Sequence, residues 1–143
     1  MKKILSNMQY RIATADGRVI EVADFNHDSG ASVQLWENAD VDSQIWTITE
    51  VAESVYKIEN KLTAKVLDVI DAGTCDGAWL HQWDYIGKDN QLWTLEQVQD
   101  GWKIKSKLSG KALDIVEESI ENGAHLQIWE ENDTPTQVWS LIQ

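Results

Sequence analysis

The chain repeats itself three times, and that repetition limits its fold more than any other feature. Copy one reads YRIATADGRVIEVADFNHDSGASVQLWENADVDSQIWTI, copy two YKIENKLTAKVLDVIDAGTCDGAWLHQWDYIGKDNQLWTL, and copy three WKIKSKLSGKALDIVEESIENGAHLQIWEENDTPTQVWSL. The aromatic starts, Tyr10, Tyr56 and Trp102, lie 46 residues apart, and the closing tryptophans, Trp46, Trp93 and Trp139, lie 47 and 46 apart. Gly30, Gly77 and Gly123 keep the same register, as do Gln44, Gln91 and Gln137. One such unit cannot bury its apolar face alone and has to close on its copies. A single domain over residues 1–143 is therefore expected, with repeats at about 8–50, 54–97 and 100–143.

A period near 46 also suits helical pairs and propeller blades, so the pattern inside each unit has to arbitrate. The runs YKIEN, VLDVI, WLHQW and LWTL are short, β-branched and aromatic, and clusters of Gly, Asp and Asn separate them. No unit carries an apolar stripe at helical spacing with a cap and a stop, and three blades are fewer than propellers use. The reading is all-β: about twelve short strands, four per repeat, with pseudo-threefold symmetry that closes the sheet and hides its edges.

Composition sets further bounds. Formal net charge is −12, from 24 acidic and 12 basic residues, so the summed field repels a phosphate backbone and an anionic membrane surface. Neither nucleic acid nor membrane insertion is expected. The opening MKKILSNMQY is too short in apolar residues for a signal peptide, and Cys75 stands alone, so the expected location is cytoplasmic or released without a cleaved signal peptide. His27 and His125 lack partners at metal-ligand spacing, and Cys75 lacks a neighbour that would activate it. No cofactor or metal is expected, and no catalytic motif is present.

Eight of the chain's aromatics are tryptophan, and they divide by context. Trp46, Trp93 and Trp139 close the motifs QIW, QLW and QVW beside strand-like residues and read as core. Trp36, Trp83 and Trp129 run into polar loops, WENADVDS, WDYIGKDN and WEENDTPT, and read as exposed platforms. An acid stands 15 residues before each platform: Glu21 before Trp36, Asp68 before Trp83, Asp114 before Trp129. An indole can cover the C–H face of a pyranose while a carboxylate accepts from neighbouring hydroxyls, so an acid, an aromatic and an amide in one hollow make a sugar site.

The apolar-Asp-apolar strand, the Gly, the platform motif and the Q-x-W ending, repeated from about Tyr10 to Leu141, resemble the ricin B-chain type of β-trefoil lectin. The resemblance implies a six-stranded barrel capped by three hairpins, with up to three shallow sugar sites. It also implies the site residues: Asp68, His81, Trp83, Asn90 and Gln91 in repeat two; Asp114, Gln127, Trp129 and Gln137 in repeat three; Glu21, Gln34, Trp36 and Gln44 in repeat one. Repeat two ranks first, although His81 stands where Gln is usual, which would make affinity pH-sensitive. Repeat three ranks second, with Thr136 in place of Asn. Repeat one ranks last, because Ser43 replaces Asn and Glu21 would push its carboxylate one methylene too far into the site.

Family members commonly carry a cysteine two residues before the acid and another just past the aromatic; here those places hold Val19, Val66 and Ala112, then Asn38, Tyr85 and Glu131. Without disulfides, stability falls to packing of the threefold core. The remaining acids, Asp71, Glu117 and Glu118 among them, read as a solvated surface without repeat symmetry, which argues against the paired carboxylates of a glycosidase. The expectation is a non-enzymatic lectin for galactose-type residues, galactose or N-acetylgalactosamine, weak at each site and strengthened by multivalency, to which a homodimer would add. A different reading stays open, an interaction or protease-inhibitor protein acting through the loops DFNHDSGAS and VEESIENGA. Trp79, aligned with Ser32 and His125, reads as outward-facing: a further sugar subsite, an oligomer contact or a loosely packed surface ring.

Overall fold

The computed structural model describes residues 7–143; the opening residues 1–6, on which the signal-peptide expectation partly rests, lie outside the described residues. Twelve strands form, four per repeat. Repeat one contributes β1 (Met8–Ala13), β2 (Val19–Val22), β3 (Val33–Trp36) and β4 (Trp46–Ala52). Repeat two contributes β5 (Val55–Asn60), β6 (Val66–Val69), β7 (Leu80–Trp83) and β8 (Trp93–Val98). Repeat three contributes β9 (Gly101–Ser106), β10 (Ala112–Ile115), β11 (Leu126–Trp129) and β12 (Ser140–Ile142).

The first and fourth strands of every repeat build a barrel. β1 pairs antiparallel with β12 and β4, β4 with β5, β5 with β8, and β8 with β9. Trp102 and Trp139 exchange two backbone hydrogen bonds, of 2.8 and 2.9 Å, which brings β9 against the start of β12 and closes the ring. The residue pairs that begin and end each repeat meet across this barrel: Tyr10 opposite Trp46, Tyr56 opposite Trp93, Trp102 opposite Trp139. The 46-residue period is thus the distance the chain needs to leave the barrel, make one hairpin and return.

The hairpins β2–β3, β6–β7 and β10–β11 cap one end, and each leans on the next. Gly30, Gly77 and Gly123 take φ of 92, 91 and 90°, a left-handed conformation that side chains disfavour, which explains their fixed register. Their amides donate to the neighbouring hairpin, to the carbonyls of Gln82, Ile128 and Leu35 at 2.8, 2.9 and 2.7 Å. The hairpins therefore close a triangle in the order one to two, two to three, three to one.

Inside lies one apolar cluster in which Trp46, Trp93 and Trp139 are fully buried with Ile12, Ile20, Leu35, Ile58, Leu67, Ile104 and Leu113. A buried indole N–H needs an acceptor. It finds the carbonyl of Ile20, Leu67 and Leu113 in turn, at 2.9, 3.3 and 3.0 Å. Gln82 breaks the apolar pattern where Leu35 and Ile128 stand, and it is fully satisfied: it donates to the carbonyls of Asn26 and Asp28 and accepts from the Thr63 hydroxyl, each at 2.8 Å.

Truncation of a core indole opens a large cavity and leaves a carbonyl unpaired. Trp93→Ala is expected to lower unfolding free energy by about 3–5 kcal/mol, to be read as a shift of the denaturant midpoint.

Candidate functional site

Each hairpin sets the acid opposite the residue two before the platform. Glu21 faces Gln34, Asp68 faces His81, and Asp114 faces Gln127. The platforms Trp36, Trp83 and Trp129 face Val19, Val66 and Ala112, two residues before the acids. Because side chains alternate along a strand, acid, facing residue and platform share one surface of the hairpin. The constant spacing of 15 is this register written in sequence. The platforms remain 38%, 40% and 39% exposed, whereas the acids are buried.

A buried carboxylate needs donors, and the Q-x-W glutamines supply them. Gln44, Gln91 and Gln137 are fully buried on short 3-10 turns, Asp42–Gln44, Asp89–Gln91 and Pro135–Gln137. Gln91 Nε2 donates to Asp68 Oδ2 at 2.9 Å and to the Asp84 carbonyl at 2.8 Å, and its Oε1 accepts from the amides of Ile86 and Gly87. Gln44 does the same for Glu21, at 3.0 Å, and Gln137 for Asp114, at 3.2 Å. These three glutamines fix the acid and the loop that follows the platform; their amides are turned to the protein, not to the surface.

The facing residues behave differently. In repeat one, Gln34 Nε2 donates to Glu21 Oε2 at 2.8 Å. In repeat two, His81 Nε2 takes the same place, 2.9 Å from Asp68 Oδ1, with its ring stacked on Trp83 at 5.3 Å between centroids. Asn90 adds a second donor to that oxygen at 3.3 Å and bonds the Val69 carbonyl at 3.1 Å. In repeat three, Asp114 Oδ1 accepts from the following amide, Ile115 N, at 2.7 Å, and Gln127 turns to the Ile115 carbonyl. Thr136 meets Thr134 at 3.2 Å. Glu21 departs from expectation: instead of protruding, its longer chain folds back so that Gln34 and Gln44 hold one oxygen each.

Clefts open beside two of the acids. One of about 430 Å³ in repeat three is lined by Asp114, Glu117, Glu118, Gln127, Trp129 and Thr134. One of about 230 Å³ in repeat two is lined by Asp68, Asp71, His81, Trp83, Lys88 and Asn90. The larger cleft is therefore in repeat three, although its polar set is the less complete. Asp71 and Glu117 correct the reading of a scattered acidic surface. With Asp24 they occupy one repeated place, three residues past the site acid, at φ of 55, 57 and 56°. There the chain turns sharply out of the second strand, and the left-handed conformation brings Asp71 and Glu117 to the cleft wall. Lys88 and Thr134 share a second repeated place, the residue before the 3-10 turn, which Val41 fills in repeat one. The first place carries an acid in all three copies, a repeat symmetry that the reading of scattered acids missed; the second has no residue type common to the three, so nothing in the sequence singled it out.

The loop past each platform is tethered by a cation from the first strand of its own repeat. Arg11 bonds Asp40 at 2.7 Å, Lys57 lies 4.7 Å over the Tyr85 ring, and Lys103 reaches Glu131 at 3.0 Å and the Asn132 carbonyl at 2.8 Å. The ammonium groups of Lys105 and Lys103 hold the Glu131 carboxyl below the usual carboxylate range. Tyr85 and Glu131 are two of the places where members of the resembled family commonly carry a cysteine; here each is held by a contact to a lysine of the barrel.

Comparison with known proteins agrees with this geometry. The Ricin-type beta-trefoil lectin domain family matches residues 8–139. Among solved structures, ThreeFoil, a designed 3-fold symmetric protein, is 31% identical over 94% of this chain and 98% of that one, with a TM-score of 0.92. The exo-β-1,3-galactanase 1,3Gal43A from Clostridium thermocellum is also 31% identical with a TM-score of 0.92; the match covers 99% of this chain but 31% of the galactanase. The Macrolepiota procera ricin B-like lectin, solved in complex with lactose, shares the fold at 15% identity over 99% of both chains, with a TM-score of 0.84. Curated protein sequences give no match. The chain belongs to the ricin-type β-trefoil lectin domains, a family of carbohydrate-binding proteins.

Proposed function

We propose that the domain binds galactose-type residues, galactose or N-acetylgalactosamine, through the clefts of repeats two and three, without catalysing a reaction on them. The observation that carries this reading is the pairing, in both clefts, of a buried and fully oriented aspartate with a tryptophan that leaves about two-fifths of its surface open. Asp68 and Asp114 each line a cleft with a carboxylate whose orientation a buried glutamine fixes, which lowers the ordering cost when two vicinal hydroxyls arrive. Trp83 and Trp129 offer the apolar face that a pyranose needs on its other side. Each carboxylate accepts a glutamine amide, an arrangement that orients it for gripping hydroxyls.

The relatives point the same way. A galactanase carries a domain of 31% identity, and a lectin of the same fold was solved with lactose. Repeat one is the weakest site, since Ser43 stands where Asn90 bonds the acid in repeat two, and Val41 stands where Lys88 and Thr134 line the other clefts. Two clefts of shallow form give weak single contacts, and display on a multivalent glycan surface, or pairing of two copies, supplies avidity.

Three variants test the assignment by isothermal titration with galactose and N-acetylgalactosamine. Asp68→Ala and Asp114→Ala are each expected to remove one binding event, and together to weaken binding at least about a hundredfold, the loss of two charge-assisted bonds at each site. Unchanged binding by the double variant would refute the sites. His81→Gln is expected to keep affinity within about threefold, because Gln34 already makes the equivalent bond to Glu21 at 2.8 Å.

A further inference from the structure

Trp79 is the most exposed tryptophan of the chain, at 42%, and it belongs to neither acid-and-platform set. Its place is specific. Exposed and buried residues alternate from Trp79 through Leu80, His81 and Gln82 to Trp83, so Trp79, His81 and Trp83 stand on one surface. Trp79 is also bridged across to Gln127 of repeat three, and its ring stacks on His125, with centroids 4.3 Å apart and planes 20° from parallel. Two residues earlier, Gly77 lies beside Trp129: a Cβ placed on it would stand 3.7 Å from the edge of that ring. Trp79 therefore sits between the cleft of its own repeat and the cleft of the next.

We propose that Trp79 is a third aromatic platform joining the clefts of repeats two and three into one track, along which a single linear, neutral oligosaccharide lies across Trp83, Trp79 and Trp129. The inference rests on the sugar sites proposed above and names a longer ligand for them. At about 3.3 Å per residue, Trp83 to Trp79 spans about 13 Å, and Trp129, whose ring lies beside Gly77, carries the line further, a length of several sugar units. Along this line the rings alternate with two largely buried polar side chains, His81 bonded to Asp68 and Gln127 bonded to the Ile115 carbonyl, and do not merge into one apolar patch. That alternation suits a chain whose units present C–H faces and hydroxyl edges in turn. His125 covers one face of Trp79 and so fixes the ring without a ligand, which lowers the ordering cost on binding. A neutral chain is favoured because Lys111 pairs with Asp76 at 3.1 Å beside the track and the net charge of −12 repels anions. Repeat one does not continue the track: Ser32 stands beside His81 where Trp79 stands beside Gln127.

The test compares galactose with a linear tetrasaccharide of β-1,3-linked galactose by titration on the wild-type protein, Trp79→Ser and Trp79→Phe, with thermal melts to verify folding. Wild type is expected to bind the tetrasaccharide about tenfold tighter than galactose, more than the gain of about fourfold from four equivalent units, at one chain per protein. Trp79→Ser should lose that advantage and keep galactose affinity, while Trp79→Phe retains most of it. Equal binding of both sugars by wild type, or equal losses for both on Trp79→Ser, overturns the track and leaves the individual sites standing. Absence of any galactose binding removes the sites and the track together. A dimer-to-monomer change on Trp79→Ser, with tetrasaccharide affinity intact, assigns the ring to self-association and also overturns the proposal.

Discussion

The clamp that the Q-x-W motif places on the second strand of each repeat is the interaction on which both fold and site depend. In repeat two the Trp93 indole bonds the Leu67 carbonyl, and the Gln91 amide, two residues earlier, bonds the Asp68 carboxylate. One short segment thus grips two consecutive residues of β6, one through its backbone and one through its side chain. The core cannot shift without moving the acid, and the acid cannot be lost without leaving a buried amide unpaired, a cost of about 1–3 kcal/mol. The same clamp recurs on Ile20 with Glu21 and on Leu113 with Asp114. Binding geometry in this fold is set from the interior outward.

The glutamine also explains how a shallow site can be rigid. Its oxygen accepts amides from the loop that follows the platform, at Ala39, Ile86 and Asn132, so acid, loop and core are one hydrogen-bonded unit. Cations from the barrel, Arg11, Lys57 and Lys103, hold the same loops from the other side. The exposed contacts among them, those of Arg11 and Lys57, contribute little individually, about 1 kcal/mol or less, whereas Lys103 is itself buried. Repeated three times on loops already pinned by a buried glutamine, they act on loop position more than on global stability.

Much of this was legible in the residues because symmetry makes a repeated requirement visible. The division of the tryptophans, the acid-to-platform spacing and the glycine register all follow from backbone geometry that each repeat needs, and all three copies show them. What the sequence concealed is of two kinds. Asp71 and Glu117 were misread although Asp24 matches them in repeat one: the acid repeats in the sequence, but the left-handed turn that carries it to the clefts, shared by Phe25, Ala72 and Glu118, has no glycine to announce it. Side-chain choice among competing acceptors was equally hidden. Gln127 occupies the place of Gln34 but turns to the Ile115 carbonyl because the Ile115 amide has already taken the Asp114 oxygen. The fold-back of Glu21 belongs here too, since both glutamines were visible but not the direction in which the longer acid would bend.

These hidden differences are where three equivalent sites become unequal. The barrel imposes the acid, the platform and the clamp on every repeat, but it does not fix the residue before the 3-10 turn or the second of the left-handed pair that follows the second strand, whose first member is an acid in each copy. At those places repeat two carries Lys88 and Asp71 with Ala72, and repeat three carries Thr134 and Glu117 with Glu118. One cleft therefore has a cation and one extra carboxylate on its wall and the other has two extra carboxylates, around the same aspartate and the same indole. A sugar whose ring fits both will be sorted by what its neighbouring units bring to those walls. Under the proposed function, the symmetric part of the fold supplies affinity for a monosaccharide face, and the asymmetric part supplies selection among the chains that carry it.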